Sequence, residues 1–217
     1  SRLSSSRLTP PQSILVIQTS FLGDVILATS VLETLHAQFP DAQVDMLVRK
    51  GNESLLAGHP FLRETLVWNK KDKKYGDLLR LMNRIRSSTY DVVINLHRFA
   101  SSGAMAAYSD APMKLGFRKN PMSVLFTHVA DHSFNGMHEI ERNAGVIRPL
   151  IGEAPISAPR LYPSADDQKV VAALTGGPYR CIAPTSVWHT KQWPAEKWVE
   201  LIKGLPRSEQ VYLLGAL

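Results

Sequence analysis

Cysteine is almost missing from this chain. Cys181 is the only one, so no internal disulfide framework exists, which fits a reducing compartment. Long apolar runs are missing too: none approaches the roughly 20 residues of a membrane-spanning helix. The opening SRLSSSRLTPP has no apolar core of the kind a secretory signal carries. Residues 1–12 therefore read as a disordered tail. Neither GxGxxG nor GxxxxGK[ST] occurs, so dinucleotide and P-loop readings lack their signature. There is no HExxH and no Cys/His cluster; His128 and His132 are four apart but have no third ligand nearby in sequence, so no metal is expected. Acidic residues are in the minority, 19 against 25 Lys and Arg, for a net charge of +6. That excess favours acidic partners: nucleic acid, anionic lipid headgroups or phosphorylated small molecules.

What is present is an ordinary globular composition, 44% hydrophobic and 20% charged over 217 residues. One stretch organises the rest. An apolar β run, Ile14 to Ile17, leads through Gln18-Thr19-Ser20 to Gly23-Asp24. There an amphipathic helix opens, with Val25, Ala28, Leu32, Leu35 and Phe39 at helical spacing. In parallel α/β sheets ligands bind beyond the carboxyl ends of the strands, where helix N-termini also point. Thr19, Ser20, Gly23 and Asp24 thus stand where a site is expected.

Further along, strands are expected at Gln43 to Val48, near Thr65 to Val67, at Tyr90 to Leu96 and at Met113 to Phe117. Helices are expected at Asn52 to Gly58, Asp77 to Arg86, Ser101 to Tyr108 and His138 to Leu150. Val124 to Val129 fits a strand or a buried helical turn equally. Arg63 to Arg86 is strongly basic and includes Lys70, Lys71, Lys73 and Lys74. Gly152 to Pro163 has no period and reads as a linker. The pattern then restarts: a helix at Ala165 to Leu174, a strand at Arg180 to Ala183, a helix from Pro194-Ala195-Glu196 and a strand at Val211 to Leu214. One βαβ unit buries too little to stand alone, so the expectation is a fragment or an incomplete second domain.

Three segments carry a family resemblance: SFLGDVILATSVL (20–32); YDVVINLHRFASSG with the later LGFRK and HEIER; and APTSVWHTKQWPAEKW (183–198). In this order they resemble the heptosyltransferases of glycosyltransferase family nine, the lipopolysaccharide type. The resemblance runs from about Ser13 to the end, although the family's remaining donor-binding segments have no counterpart. It implies a GT-B-like α/β fold. Residues 13–164 would form an N-terminal Rossmann-like acceptor-binding domain with a parallel-rich sheet, plus linker. Residues 165–217 would be the truncated start of a second Rossmann-like domain, binding a nucleotide sugar. It implies an inverting transfer of heptose from ADP-heptose to a lipopolysaccharide inner-core acceptor, with no cofactor beyond that co-substrate. The location would be cytoplasmic, with peripheral contact at the inner membrane.

The resemblance also assigns roles, each with a plainer alternative. Asp24 would be the general base; an Asp at a helix start is otherwise a common cap. Thr19, Ser20 and Gly23 would face the acceptor, or Gly23 would serve a tight turn or close helix packing. Thr185, Ser186, Thr190 and Lys191 would bind the donor, with Lys191 stabilising the departing diphosphate. Lys191 is otherwise a solvated lysine. Lys70, Lys71, Lys73, Lys74, Arg118 and Arg142 would hold the acidic acceptor. The lysines otherwise form a solvated loop, and Arg142 an ion pair with Glu139 at i,i+3 spacing. His97 either orients the acceptor or is a satisfied structural histidine. Trp188 and Trp193 fit core or hinge packing better than ligand stacking. Two rivals remain: a family member using another nucleotide sugar, and a non-catalytic Rossmann-like module binding nucleic acid or another anion. Few aromatics interleave with the basic run, so single-strand stacking has little support.

Overall fold

A computed structural model of the chain describes residues 9–72, 74–133, 136–186 and 189–215. Lys73, the side chain of Lys74 and Trp188 lie outside the described residues. The chain divides into two compact units, Ser1–Tyr162 and Pro163–Leu217.

The first unit is built on a six-stranded parallel sheet, ordered β3-β2-β1-β4-β5-β6. The strands are β1 (Ser13–Gln18), β2 (Gln43–Arg49), β3 (Leu62–Trp68), β4 (Val92–Asn95), β5 (Met113–Phe117) and β6 (His128–Ala130). Central strand β1 pairs with β2 on one side and β4 on the other, Val16 opposite both Met46 and Ile94. Its run Ile14 to Ile17 is wholly buried because both faces of the sheet are covered. Alternate side chains part company. Ile14 and Val16 join Val25, Leu32 and Leu35 of α1 (Leu22–Gln38) and Val146 and Ile147 of α4 (Glu139–Ile151). Leu15 and Ile17 join Leu81 and Ile85 of α2 (Lys74–Ser87) and Met105 of α3 (Ala100–Tyr108).

Several local outcomes have visible causes. Helix α1 begins at Leu22, so Asp24 lies in its first turn and not before it. Helix α4 runs through Pro149 to Ile151; Gly152, at φ 59°, ends it, and Arg148 Nη1 donates to the Gly152 and Ala154 carbonyls. The ambiguous stretch resolves into a short 3₁₀ turn, Ser123–Leu125, and then β6, with Phe126 packed on the α2/α3 side of the sheet. The segment after α4 returns along α1. The N–H groups of Ser157 and Arg160 donate to Thr34 and Thr29 hydroxyls, and the Tyr162 hydroxyl donates to Glu33.

The second unit holds α5 (Ala165–Leu174), β7 (Tyr179–Ile182), α6 (Ala195–Lys203) and β8 (Gln210–Leu213). β7 and β8 are parallel, with α6 between them in sequence, forming a βαβ crossover. Ser164 and Asp167 cap α5 reciprocally, the Asp167 N–H donating to the Ser164 hydroxyl and the Ser164 N–H to the Asp167 carboxylate.

Candidate active site

All six strands of the first unit point the same way, so their following loops share one edge of the sheet. At β1 the chain order reverses, since β2 and β3 lie to one side and β4 to β6 to the other. The crevice between the ends of β1 and β4 is where such sheets take ligands. Thr19 leaves β1 here, and His97 follows β4. The Thr19 hydroxyl lies 3.0 Å from His97 Nδ1, closing the crevice floor with a buried contact.

Asp24 stands at this point. Its Oδ2 accepts from the Ser20 hydroxyl and from the Phe21 N–H at 3.2 Å. Its other oxygen has no hydrogen-bond partner among the described residues. The turn that carries it is fixed from two sides: the Ser20 N–H donates to Gln18 Oε1 (3.2 Å), while Asn52 Nδ2 donates to the Ser20 carbonyl (3.1 Å). Both clamping side chains are buried. A Cβ added at Gly23 would meet nothing within 4 Å, so neither packing nor a strained turn explains this glycine. The space over the first turn of α1 is open.

Lys70 joins the same cluster from the end of β3. Its ammonium donates to the Thr19 carbonyl (2.8 Å) and sits 4.6 Å from the centroid of the buried Trp68 ring. Burial pushes the His97 pKa down to about 4; Lys70 and Arg98 push the same way, and Asp24 opposes them. His97 is therefore neutral near pH 7. Its loop is also held: Asn120 Nδ2 donates to the His97 and Phe99 carbonyls (3.0 Å each), and the Ser102 hydroxyl donates to the same two oxygens. A Cβ at Gly103 would lie 2.0 Å from Asn120 Oδ1, so only glycine leaves room for this clamp.

The remaining expected residues fall into separate groups. Lys71 lines a pocket with Lys70 beyond β2 and β3. Arg118 follows β5 and pairs with Asp131 at 2.7 Å, both exposed. Arg142, largely buried, pairs with Glu139 at 2.6 Å and donates to the Met137 carbonyl, so it ties down the turn before α4. In the second unit, Thr185 and Ser186 follow β7, and Thr190 and Lys191 belong to an exposed 3₁₀ turn, His189–Lys191. Gln192 Nε2 donates to the Ser186 carbonyl at 2.6 Å, closing this loop on itself. Trp193 packs edge to face on Trp198, 4.9 Å between centroids. Among the described residues, no three His, Cys, Asp or Glu side chains gather as metal ligands.

Sequence reasoning missed Gln18, Asn52, Asn120 and Arg49. A polar Gln ending a buried apolar strand was a readable signal for the first of these. Nothing local marked the others.

A parallel sheet with helices on both faces, a site at the β1/β4 reversal and a second βαβ unit make this a GT-B-like α/β chain. The model of glycosyltransferase family 9 (heptosyltransferase) matches residues 78–217. The chain belongs to that family. It is 29% identical over 207 residues to lipopolysaccharide heptosyltransferase 3 of Escherichia coli K12, covering 88% of this chain and 59% of that one. With lipopolysaccharide heptosyltransferase 1 of Pseudomonas aeruginosa it shares 26% over 203 residues, covering 87% of this chain and 56% of the relative. The chain thus spans less than two thirds of these curated relatives. Among solved structures, E. coli ADP-heptose lipopolysaccharide heptosyltransferase II superposes with a TM-score of 0.78 at 22% identity, over 94% of this chain and 64% of its own. E. coli heptosyltransferase WaaC with ADP gives 0.71 at 20%, over 94% and 68%. At those identities the likeness is one of fold.

Proposed function

We propose that the intact protein is an inverting glycosyltransferase that moves a heptose from ADP-heptose to a lipopolysaccharide inner-core sugar. Asp24 is the base in this reading. Its free oxygen takes the proton from the acceptor hydroxyl as that oxygen attacks the anomeric carbon. The bond from that carbon to the diphosphate breaks in the same step, so configuration inverts and ADP departs. Thr185, Ser186, Thr190 and Lys191 bind the donor, and Lys191 meets the charge growing on the leaving diphosphate. Thr19, Ser20, Gly23, His97, the 70–74 lysines, Arg118 and Arg142 serve the acceptor. A neutral His97 accepts or donates one hydrogen bond to a sugar hydroxyl without competing for the proton that Asp24 takes.

The observation that carries the reading is the carboxylate itself. It is fixed through one oxygen at the strand-order reversal, beside open space, in a chain of this family. No helix among the described residues is long and apolar enough to cross a membrane. The basic surface and a lipid-borne acceptor support work at the cytoplasmic face of the inner membrane by peripheral contact. The test incubates intact protein with ADP-heptose, UDP- and GDP-sugars, and heptose-deficient lipopolysaccharide, and reads product mass. Transfer from ADP-heptose alone is expected. Transfer only from another donor would replace the heptose reading. Salt-sensitive oligonucleotide binding without any transfer would replace the enzyme.

A further inference from the structure

Beyond the ends of β2 and β3, one strand from Asp24, lies a pocket of about 420 Å³. Arg49, Lys50, Trp68, Lys70, Lys71 and Asp72 line it, four cations against one acid. Arg49 differs from most arginines of the first unit. Arg63, Arg84, Arg118 and Arg142 each meet a carboxylate. The half-buried Arg49 meets no carboxylate or carbonyl among the described residues, and its Nε is buried without a hydrogen-bond partner. Its guanidinium carbon lies 4.6 Å from the centroid of the Phe21 ring. The group is therefore held by its face while its donor edges stay unused among the described residues. A guanidinium in that state is matched by a planar or tetrahedral oxyanion, which it grips through two N–H groups.

We propose that Arg49, with Lys50 and Lys71, forms an anion subsite that takes a phosphate or carboxylate substituent of the acceptor. The inference rests on the transferase reading for the identity of the ligand. Phe21 links the subsite to the base: its ring supports Arg49, and its N–H holds Asp24. An anion seated here sets the acceptor's distance from Asp24, and an acceptor without that group binds with no such fix. Lysine at position 49 would keep the charge but lose the stacked fork.

The test compares wild type, Arg49→Lys and Arg49→Gln of the intact protein on three acceptors: native core, phosphatase-treated core and carboxyl-reduced core. Arg49→Gln should raise the native acceptor's KM at least tenfold, with Arg49→Lys between and the donor KM within twofold of wild type. On the acceptor stripped of the recognised group, wild type and variants should agree within twofold, and which treatment does this names phosphate or carboxylate. Equal effects of Arg49→Gln on all three acceptors, or an unchanged acceptor KM, would overturn the subsite. A second measurement needs no turnover: titration with inorganic phosphate, and separately acetate, should move the Arg49 Nε–H resonance saturably. A resonance unmoved by both overturns the subsite even in a working transferase. A saturable shift in a protein with no transferase activity would leave the subsite standing and remove the sugar acceptor.

Discussion

His97 makes the stability of the first unit depend on pH in a calculable way. Burial, with help from Lys70 and Arg98, takes its pKa from 6.5 to about 4. Above pH 6.5 the ring is neutral in folded and unfolded chains, so it contributes no pH dependence. Between 6.5 and 4 the unfolded chain binds a proton that the folded one refuses, so stability falls as pH falls. Below 4 both forms are protonated and the loss levels off. At roughly 1.4 kcal/mol per tenfold change, the whole window is worth about 3 kcal/mol. The perturbation is His97→Gln, which retains a polar side chain for Thr19 but cannot titrate. Urea unfolding from pH 7.5 to 3.5, read from methyl resonances of Ile14 and Ile94, confines the measurement to this unit. The difference between wild type and variant cancels the other acids. It should be flat above pH 7 and move by about 3 kcal/mol in the variant's favour by pH 4. A difference that stays flat across the window would show a ring that titrates normally, and the description of a shielded, neutral His97 would be wrong.

Two further substitutions probe the devices that hold the site. Gly103→Ala should destabilise the first unit by about 1–3 kcal/mol, despite alanine's better helix propensity, because its Cβ would drive into an Asn120 fixed by three hydrogen bonds. Thermal unfolding checks it, and a neutral or stabilising result would mean Asn120 is free to move. Asn52→Ala removes the donor to the Ser20 carbonyl, a loss of about 1–2 kcal/mol at a buried group. If the clamp aims Asp24, kcat should fall by up to roughly tenfold with donor affinity unchanged; an unchanged kcat would make Asn52 purely structural.

The organising β-turn-α unit was legible because buried parallel strands leave continuous apolar runs, as at Ile14 to Ile17 and Val92 to Ile94. It also put Thr19 to Asp24 at the carboxyl end of the first strand, where the structure has them. What stayed hidden depends on pairing between distant segments. The position of β1 between β2 and β4 is such a case, and so is the Asn120 clamp that explains Gly103. Val124 to Val129 was ambiguous because it spends its apolar residues on a crossover, where Phe126 packs inward while Val124 stays exposed. Arg49 ends a strand, where a lone cation reads as solvated; its buried Nε, without a partner among the described residues, and its seat on Phe21 set it apart. Arg142 makes the i,i+3 ion pair with Glu139 that its spacing allowed.

Asp24 is the group proposed to take the acceptor's proton. Single-turnover transfer from ADP-heptose by Asp24→Asn, in the intact protein and with donor affinity measured separately, tests this most directly. The rate constant should fall by about 10²–10⁴ while donor affinity holds. A rate within twofold of wild type at equal donor occupancy would contradict it.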